Sequence, residues 1–373
     1  MPIMLDDTAR VLARARELAT DVLAPAAMQV EASQQVPPAH LDLLAAEGFY
    51  GLAGPRAAGG LDLPLPDLCQ VIETLAGACL STTFVWTQQH SAVRTVARSA
   101  NAGLRAALLG PLCRGERRAG LALGGTLPGP PRLRAQAVPG GYLLDGSSPW
   151  VTGWGLTDTL LVAARDEQDT IVWLLLDVPA YGAVPTGTLS AEPLQLVAVM
   201  ASRTVELRFS EHFGPADRVA GTIPLAGWQH QDRAGLRVNG SLALGLAARC
   251  AQLIGPGPLD DQLTACRAGL DAADPDRLPA ARAAACELAM RAAAALVVTR
   301  GATAILASQD AQRLAREALF LLVFGSRPTI KQALAGLLTG GGADGPAGLP
   351  GDHTEGPAGL PGDGAEGAAW QNR

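Results

Sequence analysis

The hydrophobic period of this chain changes twice, and that double change limits its possible folds more than any other feature. Over residues 6–46 apolar side chains recur at helical spacing, with Val11, Leu12, Leu18, Val22 and Leu23 followed by Leu41, Leu43 and Leu44. Val36-Pro37-Pro38 interrupts them and opens a second helix with proline at its favoured first position. Residues 48–66 are dense in Gly and Pro and read as an irregular loop, after which helical patterning resumes over 67–77 and 91–114. The segments 132–137, 142–145, 159–164, 171–176 and 204–209 are short, β-branched or alternating. Turn formers such as Pro139-Gly140-Gly141 and Asp145-Gly146 separate them. Helical periodicity returns from about residue 225, with Ala-Leu stretches at 242–254, 279–298 and 309–324 joined by short connections. The expected fold class is α+β, mostly α. A helical N-terminal domain over 1–115 precedes a small antiparallel β-domain, barrel or sandwich, over 116–222, and a helical bundle follows over 223–338.

After Thr339 the composition collapses into Gly, Pro and acidic residues, and the string Gly-Pro-Ala-Gly-Leu-Pro-Gly-Asp occurs at 345–352 and again at 356–363. Thr354 breaks the glycine phase, and the run is too short for a collagen triple helix, so 339–373 is expected to be a disordered tail.

Composition excludes several classes. At 48% hydrophobic and 17% charged residues the 373-residue chain has the makings of a sizeable core. A net charge of −6 argues against nucleic acid as a partner, since nothing would neutralise a run of phosphates. The N-terminus lacks the basic start and apolar stretch of a signal peptide. No segment reaches the roughly 18 uninterrupted apolar residues of a membrane span. A soluble cytoplasmic protein is expected. Cys69, Cys79, Cys113, Cys250, Cys266 and Cys286 are scattered without metal or redox spacing, so they read as reduced thiols packed as small hydrophobes and no metal is expected.

Local motifs then point to a family. Glu47-Gly48-Phe49-Tyr50-Gly51-Leu52, with Pro55 and Gly59-Gly60-Leu61-Asp62-Leu63, resembles a loop of the acyl-CoA dehydrogenase superfamily, and Val71-Ile72-Glu73-Thr74-Leu75-Ala76 is similar to the helix after it. Asp145-Gly146-Ser147-Ser148-Pro149-Trp150-Val151-Thr152-Gly153 resembles that family's "xGxKxWITnG" segment, and His212 through Val219 its exit from the β-domain. The resemblance covers about residues 5–335 and implies the three-part fold. It implies FAD as cofactor, with FMN or reduced flavin from a separate reductase as the alternative. It assigns cofactor contact to Trp150, shielding the flavin ring, and to Thr152, near flavin N5. Leu123 and Gly125 stand in the stretch 123–130 that replaces the family's "TEPxxGSD" cofactor-lining motif, and backbone amides there are the remaining candidate contacts.

With that replaced motif, three departures accompany the match. Placing Arg316-Glu317-Ala318 on the family's "RDA" puts Gly325 where the catalytic Glu would fall, and glycine has no side chain to act as a base. The alternative location, Ala234-Gly235-Leu236-Arg237 with Gly245 as the family glycine, also lacks a carboxylate. Asp232 and Glu317 are the nearest acids, each with an ordinary structural explanation, so no catalytic residue is assigned. The arginine segment that holds the FAD diphosphate is replaced by Pro258-Leu259-Asp260-Asp261-Gln262-Leu263, and Arg300 reads either as a phosphate contact or as a solvated helix-end cation. His90, in a polar patch running from Ser81, is read either as an acid or as a packing residue.

The resemblance thus implies a flavin-dependent oxidoreductase acting on a small-molecule acyl-CoA or related thioester. Two alternatives share the fold: a flavin-dependent monooxygenase, which needs no α-proton base, and a non-catalytic subunit of a hetero-oligomer beside a catalytic paralogue. A homo-oligomer packed through the C-terminal bundle is implied in the same way.

Overall fold

The structure is a computed structural model that describes residues 2–127, 129–178, 187–231, 233–325 and 327–340; most of the expected tail, and Asp232, lie outside these described residues. Six helices come first: α1 (Pro2–Leu18), α2 (Ala24–Ser33), α3 (Pro38–Ala46), α4 (Leu65–Ala78), α5 (Leu80–Arg98) and α6 (Ala102–Arg114). Proline stands in the first turn of α3 and α4, where its missing N–H costs nothing. The break between α5 and α6 is set by Asn101, whose Oδ1 accepts from the Leu104 amide at 3.0 Å as an N-cap. The patterning had suggested helix only from residue 91, but α5 begins eleven residues earlier. Ser81, Thr82 and Thr83 look polar in sequence yet are buried in the structure, with the Thr83 hydroxyl bonded back to the Cys79 carbonyl.

Next comes one sheet of eight strands: β1 (Ala119–Ala122), β2 (Leu133–Val138), β3 (Gly141–Val151), β4 (Thr159–Arg165), β5 (Thr170–Asp177), β6 (Leu189–Pro193), β7 (Val205–Pro215) and β8 (Val219–Pro224). The order is β6-β7-β3-β2-β4-β5-β8, with β1 on β4. Pairing is antiparallel except that β1 and β2 both run parallel to β4. Every residue of β4 is buried, the expected state of a strand with covered faces. Asp145-Gly146, expected as a turn, instead forms a bulge inside the eleven-residue β3, with Gly146 at φ +115°.

The chain finishes as a bundle: α7 (Leu225–Gln231), α8 (Arg233–Ile254), α9 (Pro258–Ala272), α10 (Leu278–Arg300), α11 (Asp310–Val323) and α12 (Pro328–Thr339). The N-terminal helices and the bundle share one core, in which Leu68, Ile72 and Leu75 of α4 join Leu244, Leu246 and Ala247 of α8. Glycine makes that crossing close: a Cβ on Gly77 would lie 2.7 Å from the Gly245 carbonyl oxygen. Beside it Glu73 accepts from Arg267 at 2.7 Å and Arg237 at 3.4 Å, and Arg237 also donates to Asp271 at 2.7 Å and to Ser241 at 2.7 Å. The sheet keeps a separate core built on Leu133, Leu144, Val162, Leu174 and Phe209.

Among the described residues one stretch, Leu278–Ile305, is long and apolar enough to cross a membrane by length and composition, with a mean hydropathy of 1.3. It holds the fully buried Arg282 and packs against α8 and α11.

Candidate functional site

The end of β3 departs from regular strand geometry. Its register against β7 shifts between Ser148 and Val151, and Trp150 there adopts φ +61° with 62% of its surface exposed. A left-handed conformation costs a non-glycine residue about 1–2 kcal/mol, so the bulge holds a strained aromatic side chain out to solvent. Two residues on, the buried Thr152 hydroxyl lies 3.2 Å from Thr204 Oγ1, which lies 2.8 Å from Ser202 Oγ.

The loop carrying these hydroxyls is strained as well. Val199 and Arg203 have φ of +48° and +51°. Strain persists only where surroundings over-determine it, and this loop is held from every side. Gly153 N donates to Ser202 O at 2.9 Å, Val36 N to Ala201 O at 3.3 Å, and Arg316 to Val197 O at 2.5 Å. Arg316 also binds Glu31 at 2.9 Å, which makes this the junction of all three parts of the chain.

Of the four residues expected at a cofactor, Trp150 and Thr152 thus stand together. Leu123 and Gly125 follow β1, in a turn that packs on β3 and β4. Leu123 is half-buried, the Gly124 amide donates to Ser148 Oγ at 2.9 Å, and the Thr126 hydroxyl turns back to the Leu123 carbonyl at 2.8 Å. A Cβ on Gly125 would sit 2.7 Å from Ala163 O, so that glycine is required by close packing on β4.

On the bundle side, Phe84 of α5 packs edge-on to Phe320 and Phe324 at 5.2 and 4.8 Å, while its neighbour Val85 lies 3.4 Å from where a Cβ on Gly153 would be. One turn of α5 therefore separates the Trp150–Gly153 segment from the C-terminal end of α11. There Gly325 is exposed with φ +56°, and a Cβ on it would meet the Asn239 carboxamide of α8 at 2.8 Å.

Of the acids weighed earlier, Glu317 is engaged within α11. Glu317 is buried and receives both Arg313 bonds, at 2.9 and 3.0 Å; burial holds its carboxyl above the usual range against the pull of Arg313. Asp232 lies outside the described residues. His90 is buried edge-on to Trp86 at 4.7 Å, and among the described residues both its ring nitrogens and the Trp86 Nε1 lack hydrogen-bond partners. Burial pushes the His90 pKa down to about 3, so it is a neutral packing residue near neutral pH.

For a flavin the fit is one-sided. A planar ring would find an aromatic wall in Trp150 and hydroxyls in the Thr152–Thr204–Ser202 chain. A diphosphate would meet the exposed carboxylates of Asp260 and Asp261 in the segment that replaces the family's arginine. Arg300 donates to the Leu253 carbonyl at 3.2 Å and lines a cleft of ≈ 220 Å³ with Met28 and Ser308. A second cleft of ≈ 240 Å³ lies under the 53–65 loop beside Arg94 and Arg98. Neither cleft touches Trp150 or Thr152. Sequence reasoning missed Ser202, Thr204 and Asn239, which carry no local pattern and are brought in by the fold alone.

With this geometry described, comparison with known proteins adds the following. Residues 6–116 match the family model for the acyl-CoA dehydrogenase N-terminal domain. The chain is 30% identical to a 3-sulfinopropanoyl-CoA desulfinase of Variovorax paradoxus over 172 residues, which is 43% of this chain and 41% of that protein. It is 28% identical to a benzylmalonyl-CoA dehydrogenase of Aromatoleum aromaticum over 241 residues, 60% of this chain and 61% of that protein. The matches therefore span about half the length of these relatives. A glutaryl-CoA dehydrogenase from Mycobacterium smegmatis, solved in complex with FADH2, superposes with a TM-score of 0.74 at 17% identity, covering 90% of this chain and 95% of that one.

Proposed function

The chain belongs to the acyl-CoA dehydrogenase superfamily, and from that premise we propose that it is a flavin-dependent oxidoreductase acting on an acyl thioester. One observation carries the reading: β3 spends backbone strain to present Trp150 to solvent beside a buried run of hydroxyls. Among the described residues the indole belongs to no buried core cluster of the β-domain. A flavin, when bound, supplies a two-electron acceptor. Trp150 would cover one face of its ring, and Thr152, its hydroxyl polarised through Thr204 and Ser202, would donate to the ring edge. The names of the relatives support a CoA thioester as the substrate class. With glycine at 325, removal of an α-proton by a carboxylate from that position is not part of the reading. Packing between copies through the bundle belongs to the same proposal, and the exposed Val298, Ile305 and Leu306 suit it.

The test is an absorbance spectrum of the purified full-length chain with added FAD, followed by anaerobic addition of a panel of acyl-CoAs. Binding of the flavin and bleaching by a thioester are expected. A folded chain that takes up neither FAD nor FMN contradicts the reading. That outcome would favour a second one, a non-catalytic subunit of a hetero-oligomer, which the exposed Asp260 and Asp261 in place of the diphosphate-holding arginine support.

A further inference from the structure

The end of α11 combines three features that the proposed function does not use. First, Gly325 carries no side chain, and among the described residues a Cβ there would meet the Asn239 carboxamide, its nitrogen 2.8 Å away. Second, that carboxamide makes no hydrogen bond among the described residues although it is half-buried, so two donors and an acceptor stand unused. Third, Arg282 of α10 lies directly behind. It is fully buried and donates to the Phe324 carbonyl, one residue from Gly325, at 2.8 Å.

Arg282 has no carboxylate partner among the described residues. Its other acceptors are the Leu321 carbonyl, at 3.5 Å, and the Cys286 sulfur. The carbonyls at the C-terminal end of α11 offset about half an elementary charge through the helix dipole. Cys286 adds nothing to this, because burial holds its thiol protonated against the pull of Arg282. A buried positive charge thus remains only partly compensated beside an unpartnered amide donor, which is the electrostatics of a site that receives an anion. The half-buried Phe320 and Phe324 and the buried Phe84 form an apolar wall next to it, suited to methylene groups.

We infer that Asn239, in the space left by Gly325 and backed by Arg282, is a specificity-determining residue that selects acyl thioesters whose acyl chain carries a carboxylate. The inference rests on the thioester reading above and names its substrate class. The amide donates to the carboxylate, Arg282 supplies attraction without contact, and the aromatic wall holds the chain.

The experiment is isothermal titration of the full-length chain with succinyl-CoA and with butyryl-CoA. These probes have acyl chains of equal length, and only the first ends in a carboxylate. Succinyl-CoA is expected to bind about tenfold or more tightly, the scale of a hydrogen bond to a charged group. Asn239→Leu should weaken succinyl-CoA by about tenfold and leave butyryl-CoA within about threefold, while Asn239→Gln recovers part of the loss. Unchanged butyryl-CoA binding and an unchanged melting temperature show that the variants fold. Equal affinity for the two probes, or an equal loss of both in Asn239→Leu, overturns the assignment and leaves the thioester reading standing. Binding of neither probe removes that reading and the inference with it.

Discussion

Gly245 and Gly325 are both glycines of the C-terminal bundle, yet a Cβ added at each meets opposite kinds of neighbour. At Gly245 it would lie 2.3 Å from the Glu73 carbonyl oxygen, inside the crossing of α4 and α8. At Gly325 the contact is the movable end of Asn239, 2.8 Å away and in reach of solvent. The first glycine exists so that two helix backbones can touch, with the Glu73–Arg237–Arg267 cluster closing the seam. The second exists at a helix end in a left-handed conformation and leaves room. The absence of a side chain serves packing at one position and makes space for a ligand at the other, which is why equal sequence signals carry unequal functional weight.

The largest effect is expected at the seam. Glu73→Ala leaves Arg237 buried with only Asp271 as an ionic partner. The cost should be about 2–4 kcal/mol, somewhat below that of a fully orphaned buried charge. Urea unfolding measures it, and a midpoint like that of the unaltered chain would deny the cluster its structural role. Gly245→Ala should cost about 1–3 kcal/mol by overpacking against α4. Gly325→Ala should cost about 1 kcal/mol, from the left-handed backbone alone. If the two alanine variants unfold at the same denaturant concentration, the contrast between the glycines fails.

An intermediate effect is expected from His90, on the helix that joins the two regions. Its folded pKa is depressed to about 3 by burial, against about 6.5 in the unfolded chain. The unfolded state therefore takes up the proton first. The stability His90 contributes is complete above about pH 6.5 and is lost as pH falls toward 3. Between pH 7 and pH 5 the loss is at most about 2 kcal/mol. In His90→Phe that share of the acid sensitivity should vanish; a variant with the same pH dependence as the parent would show that another group is responsible.

The order of helices, sheet and bundle was legible because the apolar period switches from helical to alternating and back, and that signal survives without any knowledge of contacts. Segment ends were less legible. Residues 80–90 hid inside a polar-looking run in which Thr83 and Thr87 bond back to the helix backbone, Thr82 pairs with the Cys79 sulfur and Ser81 reaches Glu31. The strands Ala119–Ala122, Leu189–Pro193 and Val219–Pro224 were not singled out: Gly, Ala, Ser and Pro fill much of them in place of alternating β-branched residues. At the site, Trp150 and Thr152 could be singled out only through family resemblance. Ser202 and Thr204 lie some fifty residues away in sequence, at a loop whose left-handed residues, a valine and an arginine, announce nothing. Arg282 sits in an alanine-rich helix where a cation ordinarily faces water, and only the packing of α11 against α10 encloses it.

The most direct test of the account is a flavin fluorescence titration of the full-length chain beside Trp150→Ala. Trp150 is exposed, so its replacement by alanine, which keeps the same left-handed backbone, should leave the melting temperature within a degree or two. The account predicts that the unaltered chain binds and quenches FAD or FMN and that Trp150→Ala binds at least about tenfold more weakly, the scale of a lost stacking contact. Equal binding by the two proteins, or no binding by either, would contradict it.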